Sequence, residues 1–74
     1  MNMQDQILIF RTTIEKTQDI GRVRALFATL PQIDRWNVDL EDREKILRIE
    51  CREITPVAIS SALRSIDIFA EELE

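Results

Sequence analysis

The residues that could carry out chemistry in this chain are few. Cys51 is the single cysteine among 74 residues, and histidine is absent. Zinc and copper ions are held by several thiolate or imidazole groups, whereas one copy of the chain offers a single candidate ligand, Cys51. The acidic clusters at 41–44 and 71–74 lack the ligand spacing of a calcium loop. We therefore expect no metal site within one chain and no cofactor.

Catalytic groups are equally sparse. The sequence has no histidine and no glycine-rich phosphate loop, and none of its nucleophiles has a base near it in the sequence. Asp39 and Glu50 could approach each other across a hairpin as a carboxylate pair, but Arg48 and Arg52 share that face. A screened surface ion network is the better interpretation of these residues. We expect that the protein is not an enzyme.

A hairpin in the middle of the chain is the element that would position these side chains. Apolar and polar residues alternate in two neighbouring segments, which are separated by a charged turn at 41–45. The apolar positions are Trp36, Val38, Leu40, Leu47, Ile49 and Cys51. Such alternation leaves one apolar face that helices elsewhere in the chain must cover. The turn contains no glycine, which predicts a loop longer than two residues.

The segments that flank the hairpin supply a strand and two helices. Residues 6–14 are apolar on both sides, which is typical of a central strand. Residues 18–30 carry an apolar stripe at three- and four-residue steps, with Thr17 as the expected N-cap. Thr55 and Pro56 indicate the start of a second helix, since threonine caps a helix well and proline suits its first position.

The C-terminal segment is compatible with two structures. Apolar residues from Ile59 to Leu73 have the spacing of one continuous helix. Alternatively, the helix ends near residues 65–67, and residues 68–73 form a strand that contains β-favouring Ile and Phe. With that strand, the chain is a single α+β domain over residues 1–74. It is then a ferredoxin-like βαββαβ sandwich, in which two helices cover one face of an antiparallel sheet.

The charge distribution narrows the classes of partner. The net charge is −4; residues 1–36 carry five basic and four acidic groups, and residues 37–74 carry five and ten. No basic stripe is available for phosphates, and the open face of the hairpin lacks the aromatic residues that bind RNA, so nucleic acid is not an expected partner. The first apolar run stops at Arg11, which fits neither a signal peptide nor a membrane span. We expect a cytoplasmic protein that does not bind membranes.

Three short segments carry a resemblance to a known family. Residues 10–14, FRTTI, stand where a lead-in of the type FKTNI precedes a metal loop. Residues 36–40, WNVDL, look like the end of a V-x-x-W-x-V-D-L strand, and residues 45–47, KIL, match the next strand. The chain thus resembles the heavy-metal-associated (HMA) domain of copper chaperones over nearly its whole length. The resemblance implies the ferredoxin-like fold with a final strand, and it places Asp67 where the family tends to have glycine.

The metal chemistry of that family resides in two cysteines three residues apart, whose thiolates hold a soft ion. Lys16 and Asp19 occupy the corresponding positions in this chain. An ammonium and a carboxylate cannot replace two thiolates as ligands of Cu(I). The resemblance therefore implies a degenerate member that lacks the CxxC motif.

What the family retains without its metal is the loop and helix through which it docks on partner proteins. We therefore expect a protein-interaction module, and the cations of this region would suit an acidic partner. The expected contact residues are Lys16, Asp19, Arg22 and Arg24. One alternative is a residual copper or zinc binding and transport protein that shares a site between chains through Cys51. A homodimer is a further alternative, since Ile7 and Ile9 are predicted to lie on the open sheet face or edge.

Overall fold

The computed structural model describes residues 5–73, which form four strands and two helices. In chain order these elements are β1 (Gln6–Thr12), α1 (Thr17–Phe27), β2 (Ile33–Asp39), β3 (Ile46–Cys51), α2 (Pro56–Arg64) and β4 (Ala70–Glu72). Neither helix is long and apolar enough to cross a membrane.

The strands form one antiparallel sheet in the order β2-β3-β1-β4. β1 lies between β3 and β4, which confirms the prediction of a central strand. The hairpin of β2 and β3 places Trp36 opposite Ile49 and Val38 opposite Leu47, so the apolar positions of both strands share one face. This topology is consistent with the ferredoxin-like arrangement.

The hydrophobic core lies between that face of the sheet and the two helices. Its buried side chains are Leu8, Phe10, Ile14, Val23, Phe27, Leu47, Ile49, Cys51, Ile59, Leu63 and Ile68. The strand residues that alternate with them, such as Arg11 and Arg48, are exposed on the other side. The sheet therefore has one face covered by both helices and one open face, as the period-two pattern predicted.

The turn between β2 and β3 is a longer loop, as the absence of glycine predicted, and Thr12 fastens it to β1. The N–H of Thr12 donates to the carbonyl of Glu44 at 3.0 Å, and its hydroxyl donates to the carbonyl of Lys45 at 2.6 Å. The same hydroxyl accepts the N–H of Ile14 at 3.2 Å. Because this last bond turns the chain out of the sheet, β1 ends before the predicted limit at residue 14.

α1 begins one residue before the predicted start at residue 18. Lys16, which has extended backbone geometry, is the N-cap residue, and Thr17 is the first helical residue. The prediction of Thr17 as the cap is therefore wrong, because the carboxylate of Asp19 accepts the N–H groups at the start of the helix. The helix ends at Phe27 rather than at residue 30, since the N–H groups of Thr29 and Leu30 bond three residues back and tighten the chain into turns.

The C-terminal segment forms a helix followed by a final strand, and not one continuous helix. α2 has the predicted cap, in which the Thr55 hydroxyl accepts the N–H of Ala58 at 3.0 Å, and it ends at Arg64. Asp67 follows with φ of 64°, in the left-handed region. The N–H of Ile68 donates to the carbonyl of Leu63 at 3.0 Å, as in a Schellman motif. Because Ile68 belongs to this turn, β4 is shorter than residues 68–73.

Candidate partner-binding site

Asp19 caps the start of α1 with its carboxylate. The Oδ2 atom accepts the backbone N–H of Glu15 at 3.1 Å and that of Lys16 at 3.2 Å. These N–H groups would otherwise lack a partner at the beginning of the helix. The same two bonds are the main cause that lowers the pKa of Asp19, to which the Arg22 guanidinium adds, while partial burial opposes them. Asp19 is therefore committed to the helix cap and is a poor candidate for direct contact with a partner.

Arg22 connects α1 to the turn that follows α2. Its Nη1 atom lies 3.7 Å from Oδ1 of Asp19, one turn earlier on the helix. Its Nη2 atom donates a hydrogen bond to the carbonyl of Ile66. Lys16, Asp19 and Arg22 are thus brought together at one end of the helix, where Arg22 braces two elements and Lys16 remains exposed.

Arg24 lies on another side of the helix. Two residues along an α-helix correspond to about 200° of rotation, so Arg24 points away from Arg22. Its guanidinium carbon lies 5.9 Å from the ring centroid of Trp36 in β2, within the range of a cation–π interaction. Trp36 packs edge-to-face on Phe27, with ring centroids 5.4 Å apart. The four residues expected to form one surface are therefore divided between the end of α1 and its β2 side.

An open groove of about 410 Å³ lies beside Arg24, between α1 and the outer edge of β2. Ile20 and Arg24, one turn apart, form its helix side. The other side is formed by Trp36, Asn37 and Val38 of β2 and by Leu40, which follows that strand. The apolar lining residues are all half-buried. The sequence pattern marked these apolar residues only as core positions, so the groove was not predicted. An apolar face on an edge strand would have indicated the groove, but β2 can be recognised as an edge strand only when the strand order is known.

The loop before α1 is held by hydrogen bonds within the chain. The N–H of Thr13 donates to the carbonyl of Phe69 at 3.1 Å, and the N–H of Phe69 donates to the Thr13 hydroxyl at 3.0 Å. Together with the bonds of Thr12 to the hairpin turn, these contacts join the loop to both neighbouring turns at this end of the domain. Thr12 and Thr13, in the segment that resembles a metal-loop lead-in, therefore hold the loop in place by hydrogen bonds to neighbouring turns.

Cys51 lies in the core, as its position in the alternating pattern predicted. Its residue is 1% exposed, and it pairs with Gln6 of β1 on one side and Ile33 of β2 on the other. Burial raises the pKa of the thiol, and the Asp34 carboxylate raises it further. Within residues 5–73, no three Cys, Asp or Glu side chains are grouped so that they could hold a metal ion. A site shared between two copies would require this thiol to leave the core.

The open face of the sheet carries the predicted ion network. Arg48 pairs with Glu50 at 3.3 Å, and Arg52 pairs with Asp34 at 3.8 Å. Asp39 is opposite Ile46 in the register and Glu50 is opposite Arg35, so Asp39 and Glu50 do not form a carboxylate pair. These contacts are those of a solvated ionic surface.

Ile7 and Ile9 lie on this open face rather than at a sheet edge, because β1 is a central strand. Ile7 is 54% exposed, and Ile9 is half-buried.

The chain was also compared with family models, with curated proteins and with solved structures, and none of them matches it.

Proposed function

We propose that this protein is a non-enzymatic, cytoplasmic protein-interaction domain of the heavy-metal-associated type, which binds an acidic partner through α1. The observation that supports this function best is that two exposed cations on or next to that helix lack an ion-pair partner among the described residues. Lys16 and Arg24 form no ion pair in the part of the chain that the structure describes. Arg35, Arg43 and Arg64 are also exposed and form no ion pair there, but of these cations Lys16 and Arg24 are the two at α1, in a chain whose net charge is −4. Complementary charges steer association and suppress wrong partners.

Asp19 and Arg22 have a different role in this proposal. Asp19 fixes the start of α1 through its cap, and Arg22 fixes α1 relative to the end of α2 through the carbonyl of Ile66. A preorganised helix loses less conformational freedom when a partner binds. We therefore assign partner contact to Lys16 and Arg24, and positioning to Asp19 and Arg22.

The proposal also accounts for the residues at the family's metal positions. Lys16 and Asp19 complete the start of α1 through a backbone N–H and a carboxylate, so the helix requires no metal ion to begin there. Cys51, the thiol that could serve a shared site, faces the core. Protein docking then remains as the function of the scaffold.

Partner capture with charge-reversal variants tests this function. The wild-type chain is immobilised and exposed to an extract of its source cells, and the retained proteins are identified. Lys16→Glu and Arg24→Glu should each weaken retention of a specific partner, because they replace attraction by repulsion. Arg64→Glu is the matched control, since Arg64 is an exposed cation at the end of α2, where it lies over Phe69. Retention that is equal for all three variants would refute docking through α1.

A metal titration separates this function from the residual metal carrier. The reduced protein is titrated with Cu(I) and with Zn(II) against a competing chelator. We expect no binding above the chelator background. Tight stoichiometric binding that is lost in Cys51→Ser would establish the carrier instead, with a site completed by a second chain.

A further inference from the structure

The outer edge of β2 is an unpaired strand edge of the sheet. Within residues 5–73, β2 pairs only with β3, so the backbone groups on its other side have no strand partner in that part of the chain. Its seven residues are enough to pair with a short extended segment. The groove of about 410 Å³ runs beside this edge, so a segment that pairs with β2 would place alternate side chains in it. Exposed strand edges of this kind are used for the addition of a partner strand.

We propose that this groove binds an extended segment of a partner protein, which adds to β2 as a fifth, antiparallel strand. The segment has an apolar residue followed two positions later by an acidic residue, both on the side that faces α1. The inference rests on the proposed function, for which it specifies the site and the chemical class of the partner.

Charge fixes the acidic position in that segment. Arg24 forms no ion pair in the region that the structure describes, and it is held over Trp36 at the side of the groove. Asp39 and Glu41, at the turn end of β2, repel a carboxylate there. The acidic side chain therefore lies near Arg24, and the apolar side chain lies against Val38 and Leu40. In an antiparallel segment this order is apolar first and acidic second.

The other edge of the sheet does not suit such a segment. β4 is three residues long, and its exposed Glu71 and Glu72 oppose an acidic strand. A second copy of this chain on the β2 edge is opposed as well, because the two-fold pairing would bring two Arg24 side chains to one interface. The free edge of β2, with its cation and apolar lining, therefore favours an acidic segment from another protein.

A defined peptide tests the proposal with the full chain. The probe is the blocked peptide Thr-Val-Thr-Val-Thr-Glu-Thr, in which the two valines and the glutamate share one side. Trp36 is the single tryptophan of the chain and lines the groove, so its fluorescence reports occupancy of this site. We expect a saturable change in that fluorescence. Arg24→Glu should weaken binding by about tenfold, and a peptide with lysine in place of glutamate should bind that variant better than it binds the wild type.

Backbone methylation of the probe tests strand pairing independently of side chains. Methylation of one alternate set of peptide nitrogens removes the donors that face β2 and should abolish binding. Methylation of the other set should be tolerated, because those nitrogens point to solvent. Arg64→Glu is the charge-reversal control, because Arg64 is an exposed cation of α2 that lies over Phe69, away from the β2 edge. Thermal unfolding verifies that each variant is folded.

Several results would overturn the proposal. These are the absence of a saturable change up to about 5 mM peptide, equal affinity for the wild type and Arg24→Glu, and equal effects of the two methylation patterns. A Trp36 signal that depends on protein concentration without peptide would assign the edge to a second copy. If a captured partner depends on Lys16 but not on Arg24, the proposed function stands and this groove is not its site. If the peptide binds as expected and no partner is captured, the proposed function fails alone.

Discussion

Cys51 should react slowly with an aromatic disulfide reagent while the protein is folded. The residue is 1% exposed and its strand is paired on both sides, so the thiol becomes accessible only when β3 separates from β1 or β2. A domain of this size has a free energy of unfolding of about 3–5 kcal/mol. If separation of these strands costs as much as global unfolding, reaction is slowed roughly 150- to 5,000-fold relative to the unfolded chain.

The assay compares the rate of thiol modification in buffer with the rate in denaturant at the same pH. A folded-state rate within about tenfold of the unfolded rate would refute the burial argument, because it would require an opening that costs less than about 1.4 kcal/mol. It would also make the thiol available to a metal site shared between two chains. A large protection factor would remove the ligand on which that alternative depends.

The pH dependence of stability gives a second readout of the same thiol. Burial raises its pKa, so the folded state favours the neutral thiol. The contribution is fully present below the unfolded pKa, which is about 8.5, and it is lost as the pH rises from there through the folded pKa. Between these values the loss from one group is at most about 1.4 kcal/mol per pH unit. Cys51→Ala should lack this alkaline loss in urea unfolding, and equal slopes for both proteins would contradict it.

Three further substitutions test the local structure. Asp19→Asn should remove an acid-dependent loss of stability. Because the pKa of Asp19 is lowered in the folded state, its contribution to the free energy of unfolding is present above the ordinary value of 3.8 and is lost as the pH falls. Thermal unfolding of both proteins from neutral to acidic pH checks this. Asp67→Ala should cost about 1 kcal/mol in urea unfolding and Asp67→Gly much less, since only glycine takes the left-handed geometry freely; equal losses would contradict it. Thr55→Ala should cost about 1 kcal/mol through loss of the cap on Ala58, and an unchanged urea midpoint would disprove that role.

The fold was largely predictable because its strongest signals are local. Alternation through Trp36 and Val38, and again through Leu47 and Ile49, specifies which side chains face the core, since a shift of one residue would expose all of them. Thr55 and Pro56 specify the start of α2 through cap chemistry. The C-terminal alternatives could not be separated by periodicity, because Ile66 and Ala70 fit the spacing of a helix as well as a turn and a strand. The left-handed geometry at Asp67 decides between them.

The site was less predictable because it depends on contacts distant in sequence. The bond from Arg22 to the carbonyl of Ile66 spans 44 residues, and no spacing rule predicts it. Arg24 meets Trp36 only because α1 lies above the edge strand. The role of Asp19 had a usable signal, since a carboxylate three positions after the N-cap residue is typical of a capping box. Its interpretation as a replaced metal ligand concealed that signal.

The most direct test of docking through α1 is the affinity of a purified captured partner, measured by titration calorimetry in the presence of a metal chelator. We expect Lys16→Glu and Arg24→Glu each to reduce the association constant by about tenfold relative to Arg64→Glu, with no effect of the chelator. Equal affinities for all three variants, or binding that the chelator abolishes, would contradict the account.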